Sequence, residues 1–186
     1  MRSILFCLAL VFSVSGAANS SVTVDGGFVI AKGKRFMAEV ARTPAEKARG
    51  LMYRQYLRQD RCMFFIYEED SYHSIWMKNC LISLDVAWID ADGKVVEIAE
   101  NVPPCSPMRG DNCPSYGGGT LSRHFVEFPV GTFKRIGLKV GDQIGWELEF
   151  SDGQFSKGGL LVTGANQSAA PKTNNTNTGT ANKKDM

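Results

Sequence analysis

The segment between residues 84 and 99 constrains the fold more than any other part of the sequence. Its two apolar runs, 84–90 and 94–99, are separated by the turn Ala91-Asp92-Gly93. Runs of this length on either side of an Asp-Gly turn are typical of a β-hairpin. We therefore predict two neighbouring antiparallel strands here.

Further short apolar runs, separated by turn residues, continue to about residue 150, and they contain one strong helix signal. Thr43 is placed as the N-cap, Pro44 as the first helical residue, and Glu46 as the partner in a capping box. This helix is expected to extend to about Leu57, and a short helical turn is expected near 132–136. The fold class that follows is α+β and mainly β. It is a compact twisted sheet or barrel-like single domain, with one capped N-terminal helix and a short second helical turn.

Both ends of the chain depart from this pattern. Residues 1–17 combine Arg2, an apolar stretch of about 11 residues and small residues around Ala17, as a secretory signal peptide does. The stretch is shorter than the roughly 20 apolar residues that a transmembrane helix needs. Residues 165–186 are polar and lack aromatic side chains, which is typical of a disordered tail. We expect a signal peptide at 1–17, a single domain at 18–164, and a periplasmic or secreted product with no transmembrane segment after signal removal.

The charge balance argues against nucleic-acid binding. The whole chain has 21 basic and 19 acidic residues. The signal peptide contains one basic residue and the tail contains three basic and one acidic, which leaves 17 basic and 18 acidic. A domain with about one net negative charge has no general basic field to attract phosphates.

Four cysteines follow the predicted signal peptide: Cys62, Cys80, Cys105 and Cys113. An even number in an exported protein favours disulfides, of which three pairings are possible. If 62–67 and 74–78 form a hairpin, Cys62 faces Cys80 and a bridge between them is feasible. Cys105 and Cys113 bracket a short loop that a second bridge would close. We predict these two bridges over a zinc site, which needs more closely spaced pairs.

The candidate ligand-binding residues cluster around the centre of the chain: Trp76, Lys78, Asn79, Asp85, Arg109 and Tyr116. In one interpretation Trp76 stacks on a small ligand while Lys78, Asn79 and Asp85 orient it. In the other they are structural, with Trp76 or Met77 in the core, Lys78 paired with Asp85, and Asn79 capping a turn. Both interpretations stay open.

Two alternatives involve chemistry. A small hydrolase-like enzyme would use Asp85 or His124 as its general base, or a cysteine paired with a histidine. Copper binding would use His73 and Met77, because thioether and imidazole groups suit that metal. The sequence contains no established catalytic or cofactor-binding motif, so we predict no cofactor and favour binding over catalysis.

Several strings resemble one family. They include IWMKNCLISLDVAWIDADGKVVEI at 75–98, Gly50-Leu51-Met52, and Phe125-Val126-Glu127-Phe128. Over about 35–148 the chain resembles the bacterial and archaeal family called Domain of Unknown Function number 192. The resemblance implies a small, mostly β domain, often exported, with no established activity. It also implies that Cys62 and Cys80 replace the usual Gly and Thr, as one substituted disulfide would.

Taken together, these observations predict an exported soluble domain to which no chemistry can be assigned from its motifs. We expect a small-ligand-binding or accessory module of the cell envelope, whose partner is an unknown small molecule or an envelope protein.

Overall fold

The computed structural model describes residues 25–159. The predicted signal peptide at 1–17 and the predicted tail at 165–186 lie outside the described residues, as do both boundaries of the predicted domain. Within 25–159, no helix has the length and apolar character needed to cross a membrane.

The described residues form strands and two short helices, which confirms the predicted mainly β architecture. The strands are β1 (Gly26–Ala31), β2 (Lys34–Ala41), β3 (Arg61–Phe65), β4 (Ser74–Trp76), β5 (Leu84–Ile89), β6 (Val95–Val102), β7 (Ser115–Gly117), β8 (His124–Pro129), β9 (Ile144–Glu149) and β10 (Phe155–Gly158). The helices are α1 (Pro44–Arg49) and α2 (Thr132–Ile136), and a 3-10 turn covers Pro107–Arg109.

Eight strands form one curled sheet in the order β10-β9-β1-β2-β3-β8-β5-β6, and β4 pairs with β7 beside it. The predicted hairpin is confirmed, since β5 and β6 pair antiparallel with Ala87 opposite Ile98. Neighbours in the large sheet are antiparallel except β2 and β3, which run parallel. A parallel pair needs a crossover connection, and the segment that contains α1 supplies it.

Alternation along the strands divides the core between the two faces of the sheet. The first-face core contains Phe64, Val126 and Phe128, together with Phe133 of α2. The second-face core contains residues of the same strands and the segments that cover them, among them Met63, Phe65, Phe125, Leu51, Ile75, Met77 and Cys80. Both faces of the central strands are therefore covered.

Helix α1 is shorter than expected. Thr43 caps it, with Thr43 Oγ1 accepting from the Glu46 N–H and the Glu46 carboxylate accepting from the Thr43 N–H. The helix ends at Arg49 rather than near Leu57, because Gly50 takes a positive φ of 44°. A Cβ at Gly50 would lie 3.2 Å from the Phe65 ring, so glycine lets the chain turn directly onto that ring.

One of the two expected disulfides is present. Cys105 and Cys113 are bridged, with their Cα atoms 5.9 Å apart. The expected bridge between Cys62 and Cys80 is wrong, because both are buried free thiols. The hairpin on which it depended does not form: β3 lies between β2 and β8, while β4 pairs with β7. Cys62 therefore belongs to the first-face core and Cys80 to the second.

Candidate functional site

A pocket of about 140 Å³ lies on the second face of the sheet, between the sheet and the segments that cover it. Its exposed lining residues are Ala48, Arg49, Ser74 and Trp76. Its buried lining residues are Leu51, Phe65, Ile75, Cys80, Phe125 and Glu127. Exposed residues mark the rim and buried ones the inner end, and we call this cavity the Glu127 pocket.

Glu127 is the unusual residue of this pocket. It lies in β8 between two strands, opposite Met63 of β3 and Val86 of β5, and it is only 6% exposed. Its Oε2 atom has no hydrogen-bond partner among the described residues. Burial raises the pKa of Glu127 to about 8, so the carboxyl group is mostly protonated at neutral pH. A buried polar atom without a partner is costly, and a strongly shifted carboxyl in a pocket indicates a candidate functional group.

Glu127 contributes to the raised pKa values of two neighbouring groups, Cys80 and Tyr67. Burial raises the pKa of the Cys80 thiol to about 12, with a second contribution from Glu127. Burial also raises the pKa of Tyr67, again with a smaller contribution from Glu127. Because Cys80 remains a thiol at neutral pH, it is poorly suited to act as a nucleophile.

Aromatic rings and a cation complete the outer wall. The ammonium of Lys47, on α1, lies 3.9 Å from the centre of the Tyr67 ring, and burial lowers the pKa of Lys47. Tyr67 also stacks on His73, with ring centres 3.8 Å apart. Burial lowers the pKa of His73, and its Nε2 has no partner among residues 25–159. This wall already holds one ammonium group against an aromatic face.

Of the predicted ligand-binding residues, Trp76 lines the pocket. Its side chain is 43% exposed at the rim. Lys78 lies 5.0 Å from the centre of the Trp76 ring and pairs with Asp111 of the disulfide-closed loop. The expected Lys78–Asp85 ion pair is therefore wrong. Asn79 adopts a positive φ of 56°, and its amide lies 3.7 Å from the sulfur of Met52.

Asp85 has a structural position away from the pocket. It is 1% exposed, and its two oxygens accept from the backbone N–H groups of Asn101 and Phe133, each at 2.9 Å. These bonds tie the end of β6 and the start of α2 to β5. Strand alternation directs Asp85 to the first face, while Val86 belongs to the second-face core.

Arg109 and Tyr116 do not line the pocket either. Arg109 is exposed in the 3-10 turn of the disulfide-closed loop. Tyr116 pairs with Ile75 across β7 and β4 and packs against the second-face core. The bridged loop therefore lies beside the Trp76 rim without contributing to the inner pocket.

His124, the other candidate base, belongs to the first face. Its ring centre lies 5.3 Å from those of Phe64 and Trp146, and its Nδ1 accepts from the Tyr67 N–H at 3.2 Å. Burial lowers the pKa of His124 to about 4, so it is neutral at physiological pH. It pairs with Ile89, four positions along β5 from Asp85, so the two candidate bases do not meet.

The two candidate copper ligands, His73 and Met77, lie in different surroundings. Met77 is 1% exposed within the second-face core, whereas His73 stacks on Tyr67. Across the part of the chain that the structure describes, no group of three or more His, Cys, Asp or Glu side chains is arranged to hold a metal.

Glu127 is not among the residues predicted from the sequence, although the sequence contains a signal for it. Glu127 is the one acidic residue of the strand 124–129, with Val126 and Phe128 on either side. In a strand covered on one face only, such a residue points to solvent. Here both faces are covered, so the charge is buried, and that coverage depends on contacts far apart in the chain.

Comparisons with known proteins agree with this architecture. The family model DUF192, described as "Uncharacterized ACR", matches residues 28–146. No curated protein matches the chain.

Two solved structures are similar to this chain. One is a protein of unknown function from Novosphingobium aromaticivorans DSM 12444, with 28% identity, 70% of this chain and 91% of that chain covered, and a TM-score of 0.59. The other is a "putative transcription regulator" from Sinorhizobium meliloti 1021, with 27% identity, 69% and 98% of the two chains covered, and a TM-score of 0.57.

Proposed function

The chain belongs to the DUF192 family of uncharacterised proteins, and we propose that it is a small-ligand-binding domain whose binding site is the Glu127 pocket. One observation carries this proposal: the buried Oε2 of Glu127 has no partner at the inner end of a pocket. Folded proteins pair nearly all buried polar atoms, so an unpaired one in a cavity has the character of a ligand contact.

The pocket walls support the same proposal. Phe65 and Phe125 stack with ring centres 4.3 Å apart, and Trp76 supplies an exposed aromatic side chain at the rim. These apolar walls are combined with a few charged and polar side chains, and small-molecule sites use such polar groups to orient a ligand. A cavity of about 150 Å³ accepts benzene, so this pocket accepts ligands of about that size and somewhat larger ones that extend past the rim.

A thermal-shift screen of the full chain against amino acids, sugars, organic acids and amines tests the proposal. A ligand that binds the folded state raises the melting temperature by mass action. The shift is expected in the native protein and is expected to fall in Glu127→Gln and Trp76→Ala. Tyr72→Ala is the matched control, because Tyr72 is an exposed aromatic residue that does not line the pocket.

Two results would count against the site. Absence of any shift across the panel would remove the binding proposal. A shift that is unchanged in both pocket variants would move the binding site elsewhere.

We also propose that the protein is exported and acts in the cell envelope or outside the cell. The leader-like sequence at 1–17 supports this, and the Cys105–Cys113 bridge is typical of oxidising compartments. Expression of the full chain in a bacterium, followed by fractionation and N-terminal sequencing, tests it. The expected product is periplasmic or secreted and begins at Ala18, whereas a cytoplasmic product that keeps residues 1–17 would contradict it.

A further inference from the structure

We propose that the ligand of the Glu127 pocket is a small amino acid whose amine and acid groups lie at opposite ends of the molecule. This inference rests on the proposed function and names the ligand class for the same site. The ammonium end would donate to Glu127, the methylene chain would lie between the aromatic and aliphatic walls, and the acid end would face Lys47 at the outer wall.

The order of charges along the pocket carries the inference. The carboxyl group of Glu127 is at the inner, buried end, while Lys47 is half-buried and Arg49 is exposed. A ligand with one positive and one negative end matches this order. A simple amine would bring its charge past the two cations, and a simple acid paired with Lys47 would leave Oε2 of Glu127 without a partner.

The inner end favours an ammonium group over a neutral donor. Oε2 of Glu127 has no partner among the described residues, and an ammonium group that displaces the proton of this carboxyl gains a charge-assisted hydrogen bond, which is stronger than a neutral one. The stacked rings of Phe65 and Phe125 add aromatic surface to the inner walls, and the ring of Tyr67 adds it to the outer wall. The Lys47 ammonium, 3.9 Å from the centre of the Tyr67 ring, is a cation already bound to such a surface.

The buried apolar lining favours methylene groups. Leu51, Ile75 and Phe65 are buried residues of the pocket wall, so they offer contact area without hydrogen-bonding groups. The pocket volume of about 140 Å³ has room for a chain of three or four methylene groups.

Binding should be coupled to proton release. The titratable groups that line the pocket with Glu127 are Cys80 after β4, Tyr67 after β3, and Lys47 and Arg49 on α1. Burial keeps Cys80 and Tyr67 in their neutral forms near pH 7. Because free Glu127 has a pKa of about 8, an ammonium ligand that binds the carboxylate should release about one proton at pH 7.

Isothermal titration of the full chain with three matched probes tests the inference. 4-Aminobutanoate has both charged ends, butylamine has only the ammonium, and butanoate has only the carboxylate. We expect 4-aminobutanoate to bind at least about tenfold more tightly than either single-ended probe. Glu127→Gln should weaken 4-aminobutanoate and butylamine without weakening butanoate. Lys47→Met should weaken 4-aminobutanoate and butanoate without weakening butylamine.

Titrations in buffers of different ionisation enthalpy add an independent readout. The dependence of the binding enthalpy on the ionisation enthalpy of the buffer should indicate release of about one proton per bound 4-aminobutanoate at pH 7. The affinity should rise about tenfold per pH unit between pH 6 and pH 7. Neither effect is expected in Glu127→Gln.

The outcomes separate this inference from the function on which it rests. Equal affinity for the three probes, or an affinity for 4-aminobutanoate that Glu127→Gln leaves unchanged, would overturn the ligand class. If no probe binds while other compounds give shifts that depend on Glu127 and Trp76, the ligand class is wrong and the pocket still binds a ligand. If neither probes nor panel bind, both proposals fail.

Discussion

Replacing Glu127 by glutamine should stabilise the protein increasingly as the pH rises. The folded pKa of about 8 lies above the ordinary value of 4.5. Below pH 4.5 the carboxyl group is protonated in both folded and unfolded chains. Between pH 4.5 and 8 the unfolded chain releases a proton that the folded chain keeps, so the free energy of unfolding of the native protein falls through this window. Above pH 8 Glu127 is ionised in both states, so the loss of free energy of unfolding that it causes no longer changes with pH.

The two pKa values set the size of this effect. Ionisation of Glu127 lowers the free energy of unfolding of the native protein by about 3 kcal/mol at pH 7 and by about 5 kcal/mol well above pH 8. Glutamine has the same shape and no titrating group, so it removes the pH-dependent part. Between pH 5 and pH 8, the stability difference between Glu127→Gln and the native protein should grow by about 3 kcal/mol in favour of the variant.

Urea unfolding at pH 5, 6, 7 and 8, followed by tryptophan fluorescence, measures this difference. Trp88 is fully buried and reports the loss of the core. Glu100→Gln is the matched control, because Glu100 is exposed in the edge strand β6 and should show no such trend. A difference between Glu127→Gln and the native protein that does not change with pH would refute the reasoning, since it would mean that Glu127 is solvated or paired in the folded chain.

Three further predictions follow from other parts of the structure. Asp85→Asn should lower the free energy of unfolding, measured with urea, by about 2 kcal/mol. The amide oxygen of asparagine can accept only one of the two backbone N–H hydrogen bonds that the carboxylate accepts. An unchanged urea midpoint would contradict this prediction. In the chain without residues 1–17, which removes Cys7, alkylation in denaturant without reductant should modify two thiols, Cys62 and Cys80, and an intact mass with none or four modified would contradict the observed bridging. Gly117→Ala should lower the free energy of unfolding by about 2 kcal/mol more than Gly153→Ala. Both glycines have a positive φ, but only a methyl group at Gly117 would overlap the buried indole ring of Trp88. Equal losses of stability in the two variants would contradict that packing.

Local signals in the sequence predicted local structure well. The turn Ala91-Asp92-Gly93 predicted the β5–β6 hairpin because the strands it joins are adjacent in the chain. The spacing of Cys105 and Cys113 predicted their bridge for the same reason.

Long-range pairing could not be predicted in the same way. The Cys62–Cys80 bridge required β3 to pair with β4, which follows it along the chain. Instead β3 pairs in parallel with β2 across α1, and antiparallel with the distant strand β8. Nothing within 62–78 distinguishes these arrangements, because each strand is a short apolar run that fits either neighbour.

The candidate site shows the same limit. The residue type of Trp76 alone makes it a ligand-binding candidate, and it lies at the rim of the pocket. Lys78 was paired with nearby Asp85, but its partner is Asp111, 33 positions away in the bridged loop. The inner end depends on Glu127, which becomes significant only when the second face of β8 is covered by segments from 47–80.

The pKa of Glu127, measured with and without ligand, tests the central claim most directly. Carbon-detected NMR of the side-chain carboxyl in labelled protein, assigned by its loss in Glu127→Gln, gives this value. We expect a titration midpoint near pH 8 in the free protein and a clearly lower midpoint with saturating 4-aminobutanoate. A midpoint near 4.5 that the ligand does not change would contradict both the buried, unpaired carboxyl group and its role in binding.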